Sequence, residues 1–349
     1  MRAIVIGGGA AGFFGAIACA ETHPHLRVTL LEASPQVLSK VRISGGGRCN
    51  VTHACFEPPA LVQHYPRGGK ALRGPLTRFQ PQDTVAWFKQ RGVVLKTEAD
   101  GRMFPITDDS ATIVDCLIRT AQRAGVEVTT GAAVVSVEVE EAGFIVSLKG
   151  GASLRCARLL LATGSHPLGY RLAATLGHGL IPAVPSLFTL QMNDPRLQGL
   201  AGVSVPSVQA KLLIEGQKPL EQMGPLLITH WGVSGPAVLK LSAWGARVLH
   251  DAHYHGILQI NWVPQLSADE LRDCLQQAKV KAAKKAIANY CPVQLPQRLW
   301  ERFTQAAEIN PDVRWADCSK KALNRLLLEL QQGRFAIQGK GVFKEEFVS

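Results

Sequence analysis

The sequence predicts an α/β fold: a doubly wound parallel sheet carrying a β-meander at the amino end, then a mostly β second domain and a helical stretch. Three observations lead there. An apolar strand, Arg2-Ala3-Ile4-Val5-Ile6, runs straight into Gly7-Gly8-Gly9-Ala10-Ala11-Gly12, and a second strand, Val28-Thr29-Leu30-Leu31, ends on Glu32. The run Arg158-Leu159-Leu160-Leu161-Ala162-Thr163-Gly164 is apolar up to a small-residue turn, the pattern of a buried parallel strand returning to the first sheet. From residue 185 to 265, short strands are punctuated by Pro and Gly with no long amphipathic helix.

The first of these is a dinucleotide-binding unit, because the glycines follow a strand, open a helix and are answered by an acidic residue twenty positions after Gly12. Gly7 permits the tight turn, Gly9 lets backbone N–H groups approach a pyrophosphate, and Gly12 with Ala16 lets the helix begun at Ala10 and Ala11 lie close to the sheet. Unpaired N–H groups and the helix dipole favour the phosphates there. Glu32 is placed to accept hydrogen bonds from a ribose diol. Its carboxylate disfavours a 2′-phosphate, which leaves FAD or NAD rather than NADP.

Further elements follow in order. A long loop after Glu32 leads to a helix around Asp83 to Arg91, and Val93-Val94-Leu95 reads as a short strand. Asp108, Asp109 and Ser110 offer capping groups for a helix over 108–124, in which Ile113, Leu117 and Ala121 share a face and Gly125 closes it. Val134 to Val139 and Phe144 to Leu148 alternate as a meander. Ser267-Ala268-Asp269-Glu270 has the capping-box form, with Leu271, Leu275, Ala278 and Ala282 at helical spacing behind it. Pro292 and Pro296 break residues 267–307 into helical pieces, and a helix over Leu323 to Leu330 leads into a strand at Phe335-Ala336-Ile337.

At 349 residues the chain holds about two domains. No apolar run approaches the roughly 18 residues of a membrane helix and nothing precedes the first strand, so the expected location is cytoplasmic. The eight cysteines are scattered without a C-x-x-C pair, which indicates neither zinc nor a dithiol motif. The formal charge is +11, and Lys279, Lys281, Lys284 and Lys285 concentrate part of it on one helix. Because the apolar spacing leaves them mostly on the opposite face, they read as a solvated face in preference to a nucleic-acid or membrane patch.

The most specific segment is Ser44-Gly45-Gly46-Gly47-Arg48-Cys49-Asn50-Val51-Thr52, where three glycines allow close wrapping around a flat or anionic group and Arg48 offers planar donors. Cys49 reads as a small buried thiol in preference to a redox or covalent flavin ligand. His230 reads equally as an acid or base and as a ring packed beside Trp231, and Pro236 suits the first position of a helix. His53 and His64 read as surface loop residues without partners. With Gly101-Arg102-Met103-Phe104-Pro105, Leu161-Ala162-Thr163-Gly164 and Thr229-His230-Trp231-Gly232-Val233-Ser234-Gly235-Pro236, the Ser44 loop makes the whole chain resemble the bacterial flavoproteins called aminoacetone oxidase family FAD-binding enzymes, which include a bile-acid dehydro-reductase.

That resemblance implies a Rossmann-type FAD-binding domain of the two-dinucleotide-binding kind, an inserted β-rich domain and a small helical subdomain. It implies boundaries of 1–188 for the FAD domain with its meander, 189–266 and 311–342 for the β-rich domain, 267–310 for the helical insert, and 343–349 for a return to the FAD domain. Gly7, Gly9, Gly12 and Glu32 match its ADP-binding positions. Lys40 and the loop of Ser44, Gly45, Gly46, Arg48, Cys49 and Asn50 match the segment along the flavin, Val134 the backbone that meets the adenine, and Thr163 and Gly164 a turn near the cofactor. Ser165 departs from the family's usual Gly. Relatives continue past Phe343-Lys344-Glu345-Glu346-Phe347-Val348 with a second glycine-rich motif, and without it a sheet edge and part of the flavin site stay open.

The expected function is a FAD-dependent oxidoreductase carrying out a two-electron oxidation or reduction of a small organic substrate, with NAD(P)H a candidate electron donor and no catalytic base identifiable. No metal is expected. A tRNA-acting flavoenzyme and a shortened, non-catalytic nucleotide-binding protein are the alternatives.

Overall fold

Every residue of the first strand is apolar after Arg2, and the structure, a computed structural model describing residues 1–341, explains why both faces need to be. Ala3 and Val5 join one core with Phe13, Ile17 and Leu117, whereas Ile4 and Ile6 join another with Val134, Val137 and Val146. Alternate side chains of one five-residue strand thus wall two separate cores. The chain divides into two compact units, Met1–Ile181 and Pro182–Ser349. The expected return over 343–349 lies outside the described residues.

In the first unit, β1 (Arg2–Ile6), α1 (Ala10–Thr22) and β2 (Arg27–Leu31) make the opening motif. The segment after Glu32 is not the long loop expected, because α2 (Ser39–Ile43) leads directly into a 3₁₀ turn at Ser44–Gly47. β3 (Thr52–His53), α3 (Pro58–Leu61), α4 (Gly69–Arg78), α5 (Pro81–Gln90), β4 (Leu95–Thr97) and β5 (Arg102–Pro105) follow, the three strands forming a small antiparallel sheet. β4 starts two residues later than expected: the Val93 N–H closes α5 on the Phe88 carbonyl, and Val93 itself is buried in the core.

α6 (Ser110–Arg123) is capped by Asp109, whose carboxylate accepts the Ala111 N–H at 2.8 Å, and buries Ile113, Leu117 and Ala121 as predicted. β6 (Glu127–Thr129), the meander β7 (Val134–Glu140), β8 (Gly143–Leu148) and β9 (Ser153–Cys156), then β10 (Arg158–Leu161) and α7 (Pro167–Thr175) complete the unit. The main sheet is parallel in the order β10-β1-β2-β6. β10 does return to it. However, it is the edge strand among the described residues, and Leu160 is 42% exposed rather than buried, because only β1 pairs with it.

The second unit is built on an antiparallel sheet of seven strands: β11 (Leu190–Gln191), β12 (Ser204–Leu213), β13 (Leu220–Ile228), β14 (Gly232–Ser234), β15 (Gly256–Asn261), β16 (Gly333–Ile337) and β17 (Gly339–Lys340), in the order β16-β15-β12-β13-β14-β11-β17. The pairing of β12 with β13 shifts register between Val205 and Val208, where Pro206 has no N–H to donate. Two helices follow β14: α8 (Pro236–Trp244), whose start at Pro236 the sequence suggests, and α9 (Ala246–Asp251), which it does not. α8 buries Ala237, Val238, Leu241, Ser242 and Ala243, so its sequence carries little polar face to betray a helix.

α10 (Ala268–Lys281) begins with the predicted capping box, Ser267 and Glu270 bonding each other's backbone N–H. It is followed by α11 (Gln297–Ala306) and α12 (Lys320–Gln332), which share the unit's core with the buried Trp262, Trp300 and Trp315. The Trp300 indole N–H donates to the Ile287 carbonyl at 2.7 Å, as a buried indole requires.

Candidate functional site

The glycine turn between β1 and α1 is fixed by contacts that only glycine allows. Gly7 has φ +113, and a Cβ there would meet the Ala162 carbonyl oxygen at 2.4 Å. A Cβ on Gly12 would lie 1.9 Å from the Gly7 carbonyl oxygen, so α1 rests directly on the turn. Gly9 differs: it is the N-cap of α1, no side chain caps the helix, and a Cβ there would meet nothing within 4 Å. The turn is therefore closed where it packs and open where α1, starting at Ala10 and Ala11, presents its first N–H groups.

Glu32 binds this turn to the end of β2. Its carboxylate accepts the Gly8 N–H at 2.7 Å through one oxygen and the Ser34 N–H at 2.8 Å through the other. Burial opposes its ionisation, but the hydrogen bonds from Ser34 and Gly8 outweigh that and hold the carboxyl below the usual glutamate range. A carboxyl group depressed on folding contributes stability above its unfolded pKa and loses it as pH falls through the folded value. The Glu32→Gln variant is thus expected to unfold at lower urea than wild type at neutral pH, with the difference shrinking on acidification. Parallel midpoint-versus-pH curves would contradict this linkage. Val134 is buried at the start of β7, two residues beyond Ala132, whose N–H donates to the Glu32 carbonyl.

The Ser44 loop is a sequence of left-handed residues. Gly45, Gly46 and Gly47 have φ of 58, 69 and 84, and Cys49 shares that conformation at 61. A Cβ on Gly45 would press on the Asn50 N at 2.8 Å, but Gly46 and Gly47 border open space. The Ser44 hydroxyl donates to the Val41 carbonyl, and the Ser44 carbonyl accepts the Cys49 N–H, which closes the loop. Burial pushes the Cys49 thiol above its ordinary pKa against a weaker opposing bond from Ser44, so this cysteine is a protonated filler rather than a ready nucleophile.

Arg48 donates to Glu98 at 2.6 Å and lies over the Phe104 ring, 4.1 Å from its centroid. Asp108 accepts from Arg48 at 3.4 Å and pairs with Lys96. These partners lie fifty and more residues away and the sequence does not announce them; Asp108, which the sequence offers as a helix-capping group, instead takes φ +52 and joins this cluster. The pairing makes Arg48 the anchor of the glycine loop to β5. Lys40 reaches the turn after β10, with its ammonium 3.4 Å from the Ser165 hydroxyl and 4.0 Å from where a Cβ on Gly164 would sit, and Gly164 follows Thr163 at φ +60. The structure therefore brings Lys40 to Thr163, Gly164 and Ser165 at the carboxyl ends of β1 and β10, where open α/β sheets bind ligands.

His53 is not partnerless: its Nε2 lies 3.0 Å from the Asp100 carbonyl oxygen, and its ring is 6.2 Å from that of His64. In the second unit, His230 and Trp231 are exposed in the turn between β13 and β14, where the Thr229 N–H donates to the Gly232 carbonyl. Pro236 opens α8 as expected, with Gly235 as N-cap at φ 94. No helix among the described residues is long and apolar enough to cross a membrane.

Comparison with known proteins covers residues 1–348 of the chain. Residues 1–234 match the family model "HI0933-like protein Rossmann domain", and residues 184–348 match "HI0933-like protein barrel and H2TH domain". The chain is 32% identical over 323 residues to a protein of Escherichia coli (strain K12) named ribosomal RNA dihydrouridine synthase, covering 89% of this chain and 75% of that one. It is 27% identical over 341 residues to a 3-dehydro-bile acid delta(4,6)-reductase of Clostridium scindens, covering 93% and 81%. Among solved structures, that of Thermovibrio ammonificans THI4 is similar at a TM-score of 0.36 and 12% identity, over 51% of this chain and 62% of that one.

Proposed function

Since the chain belongs to the HI0933-like family of FAD-dependent oxidoreductases, we propose that it reduces a carbon–carbon double bond conjugated to a carbonyl, with uridine in RNA as the substrate class. One observation carries this reading. Forming dihydrouridine and reducing a steroid 4,6-diene beside a 3-ketone are the changes in the two relatives' names, and both add two hydrogens to an alkene polarised by a carbonyl. RNA is favoured over a steroid by the formal charge of +11 and by the higher identity to the ribosomal RNA enzyme.

The residues of the glycine turn and the Ser44 loop fit FAD. The open space at Gly9 before the uncapped start of α1 suits a pyrophosphate, and Glu32, with its lone pairs not exhausted by Gly8 and Ser34, suits a ribose diol. Lys40 beside Thr163 and Gly164 would add a cation along the cofactor, and Gly46 and Gly47 would leave room for its flat ring system. Bound FAD supplies the two-electron transfer, for which we assign NAD(P)H as donor. The net reaction consumes one NAD(P)H and one proton and saturates one double bond.

The test is to reconstitute the purified chain with FAD and supply NADPH anaerobically with unmodified ribosomal RNA or with a steroid 4,6-dien-3-one. The expected result is flavin bleaching by NADPH, re-oxidation by RNA, and uridine gaining two hydrogens by nucleoside mass spectrometry. Reduction of the dienone alone would overturn the RNA assignment. A protein that binds FAD but reduces neither would overturn the reductase reading.

A further inference from the structure

In the second unit, two stretches of chain concentrate positive charge and the fold lays them side by side. Residues 279–285 and 314–325 hold eight Lys or Arg, namely Lys279, Lys281, Lys284, Lys285, Arg314, Lys320, Lys321 and Arg325, against one acid, Asp317. The Ala316 N–H donates to the Ala283 carbonyl at 3.1 Å, the Trp315 N–H to the Lys285 carbonyl at 3.0 Å, and the Lys279 ammonium to the Cys318 carbonyl at 2.7 Å. The end of α10 is thereby laced to the approach to α12.

Part of this charge has a local use. Lys279 caps the neighbouring chain, Lys285 lies 5.0 Å from the Tyr290 ring centroid, and Arg325 pairs with Glu308. The others form no ion pair among the described residues: Lys281, whose ammonium donates to the Gln277 side chain at 3.1 Å, and Lys284, Arg314, Lys320 and Lys321 are all exposed. Lysines ending α10 suit its dipole, but Lys320 and Lys321 occupy the first turn of α12, which carries no acid and where positive charge is disfavoured. The start of α10, by contrast, holds Asp269 and Glu270. Beside the patch, a groove of about 260 Å³ between α10 and α12 has Leu275, Leu323 and Leu327 in its lining together with Arg272, Gln276, Lys320 and Asn324.

We propose that this face, formed by the end of α10, residues 314–318 and the start of α12, is an RNA-docking surface that grips the phosphate backbone of the substrate. The proposal rests on the RNA reading above. Exposed, unpaired lysines with almost no intervening acid suit contacts to successive phosphates, and their cost to α12 is explained if the charge serves a ligand. The sequence shows only the α10 lysines, which alone read as a solvated face; the second stretch reaches them through the fold.

The test uses the full FAD-loaded chain and a fluorescein-labelled RNA stem–loop with unpaired uridines, titrated from roughly 50 to 200 mM KCl. Replacing Lys281, Lys284, Lys320 and Lys321 with Gln should weaken binding by about 10-fold or more and flatten the slope of log affinity against log salt by roughly 3. The same replacement at the exposed Lys70, Lys89, Lys149 and Lys218 should do neither. A second variant separates binding from folding: Lys320→Glu with Lys321→Glu should keep or raise the melting temperature, because acids suit the start of α12, and yet weaken RNA binding further. Wild-type protein that binds RNA while both quadruple variants bind alike would overturn the surface and leave the RNA reading intact. Wild-type protein that fails to bind RNA at low salt would overturn both. Patch-dependent binding to phosphatidylglycerol vesicles with unchanged RNA affinity would assign the face to a membrane instead.

Discussion

Gly12→Ala is expected to destabilise the first unit by about 3 kcal/mol and to prevent retention of FAD. The added Cβ would stand 1.9 Å from the Gly7 carbonyl oxygen and 3.1 Å from its carbon, and both are backbone atoms of a turn already held at Ala162 and Leu31. No rotamer relieves such a contact. α1 would have to withdraw from β1, carrying with it Phe13, Ala16 and Ile17, all buried. Gly9→Ala is the control, because Gly9 has an ordinary φ of −87 and open space around it. That variant should keep the wild-type urea midpoint and lose affinity for FAD only through crowding of the phosphates, with Gly9→Val losing more. Urea unfolding followed by circular dichroism, with FAD titrated by fluorescence quenching, separates the cases. A Gly12→Ala protein with a wild-type midpoint would sink the packing argument.

Arg196→Ala is expected to cost the second unit about 2–3 kcal/mol, below the range for removing one partner of a fully buried ion pair because this one is half-buried. Arg196 bonds both oxygens of Asp194, at 2.8 and 2.7 Å, and Glu329 at 2.6 Å; it also donates to the Arg334 carbonyl and lies 4.0 Å from the Phe335 ring centroid. Only 15% of its side chain is exposed, and 17% of that of Asp194. Without the guanidinium, the half-buried Asp194 and Glu329 carboxylates lose their shared cation. Burial works against ionisation of Asp194, but its bonds from Arg196 win and hold the carboxyl below the usual range. Its contribution is therefore present above the unfolded aspartate pKa and fades as pH falls through the folded value. The gap in urea midpoint between wild type and Arg196→Ala should accordingly be widest at neutral pH and narrow in acid. Arg196→Lys should recover part of the loss, since an ammonium cannot engage Asp194 through the two-pronged fork. A gap that is constant from neutral pH into acid would show that lost packing on Phe335, not charge, sets the cost.

Arg196 also marks the limit of what the sequence discloses. Glu329 lies 133 positions away, and nothing local at either end announces the pair. Separation in sequence likewise hides the Arg48 anchor on Glu98 and Phe104, and the pairing of residues 279–285 with 315–318. The legible features were those written within a few residues: the glycine turn and its helix, Asp109 at the head of α6, the Ser267 capping box, the hairpin of β7 and β8, and Pro236 at the start of α8. Each is a local contest between backbone groups and nearby side chains. Most of α8 escapes because a helix buried on most sides has no polar stripe, and α9 because six residues are too few to show a helical period; β10 reads as buried in the sequence because an apolar run does not state how many neighbours it will have. Glu32 reads in the sequence as the acidic end of the second strand, but its hold on the Gly8 and Ser34 N–H groups is visible only with β2 and the turn side by side.

The division of β1 between two cores has a dynamic corollary. Ala3 and Val5 serve the core under α1 and α6, and Ile4 and Ile6 serve the core under the meander, so neither hydrophobic cluster can loosen without removing a wall from the other. The two therefore open as one cooperative unit rather than as separate foldons. The glycine turn leaves the end of this shared strand, so its position is tied to both cores at once. Its preorganisation is supplied by the stability of both cores together.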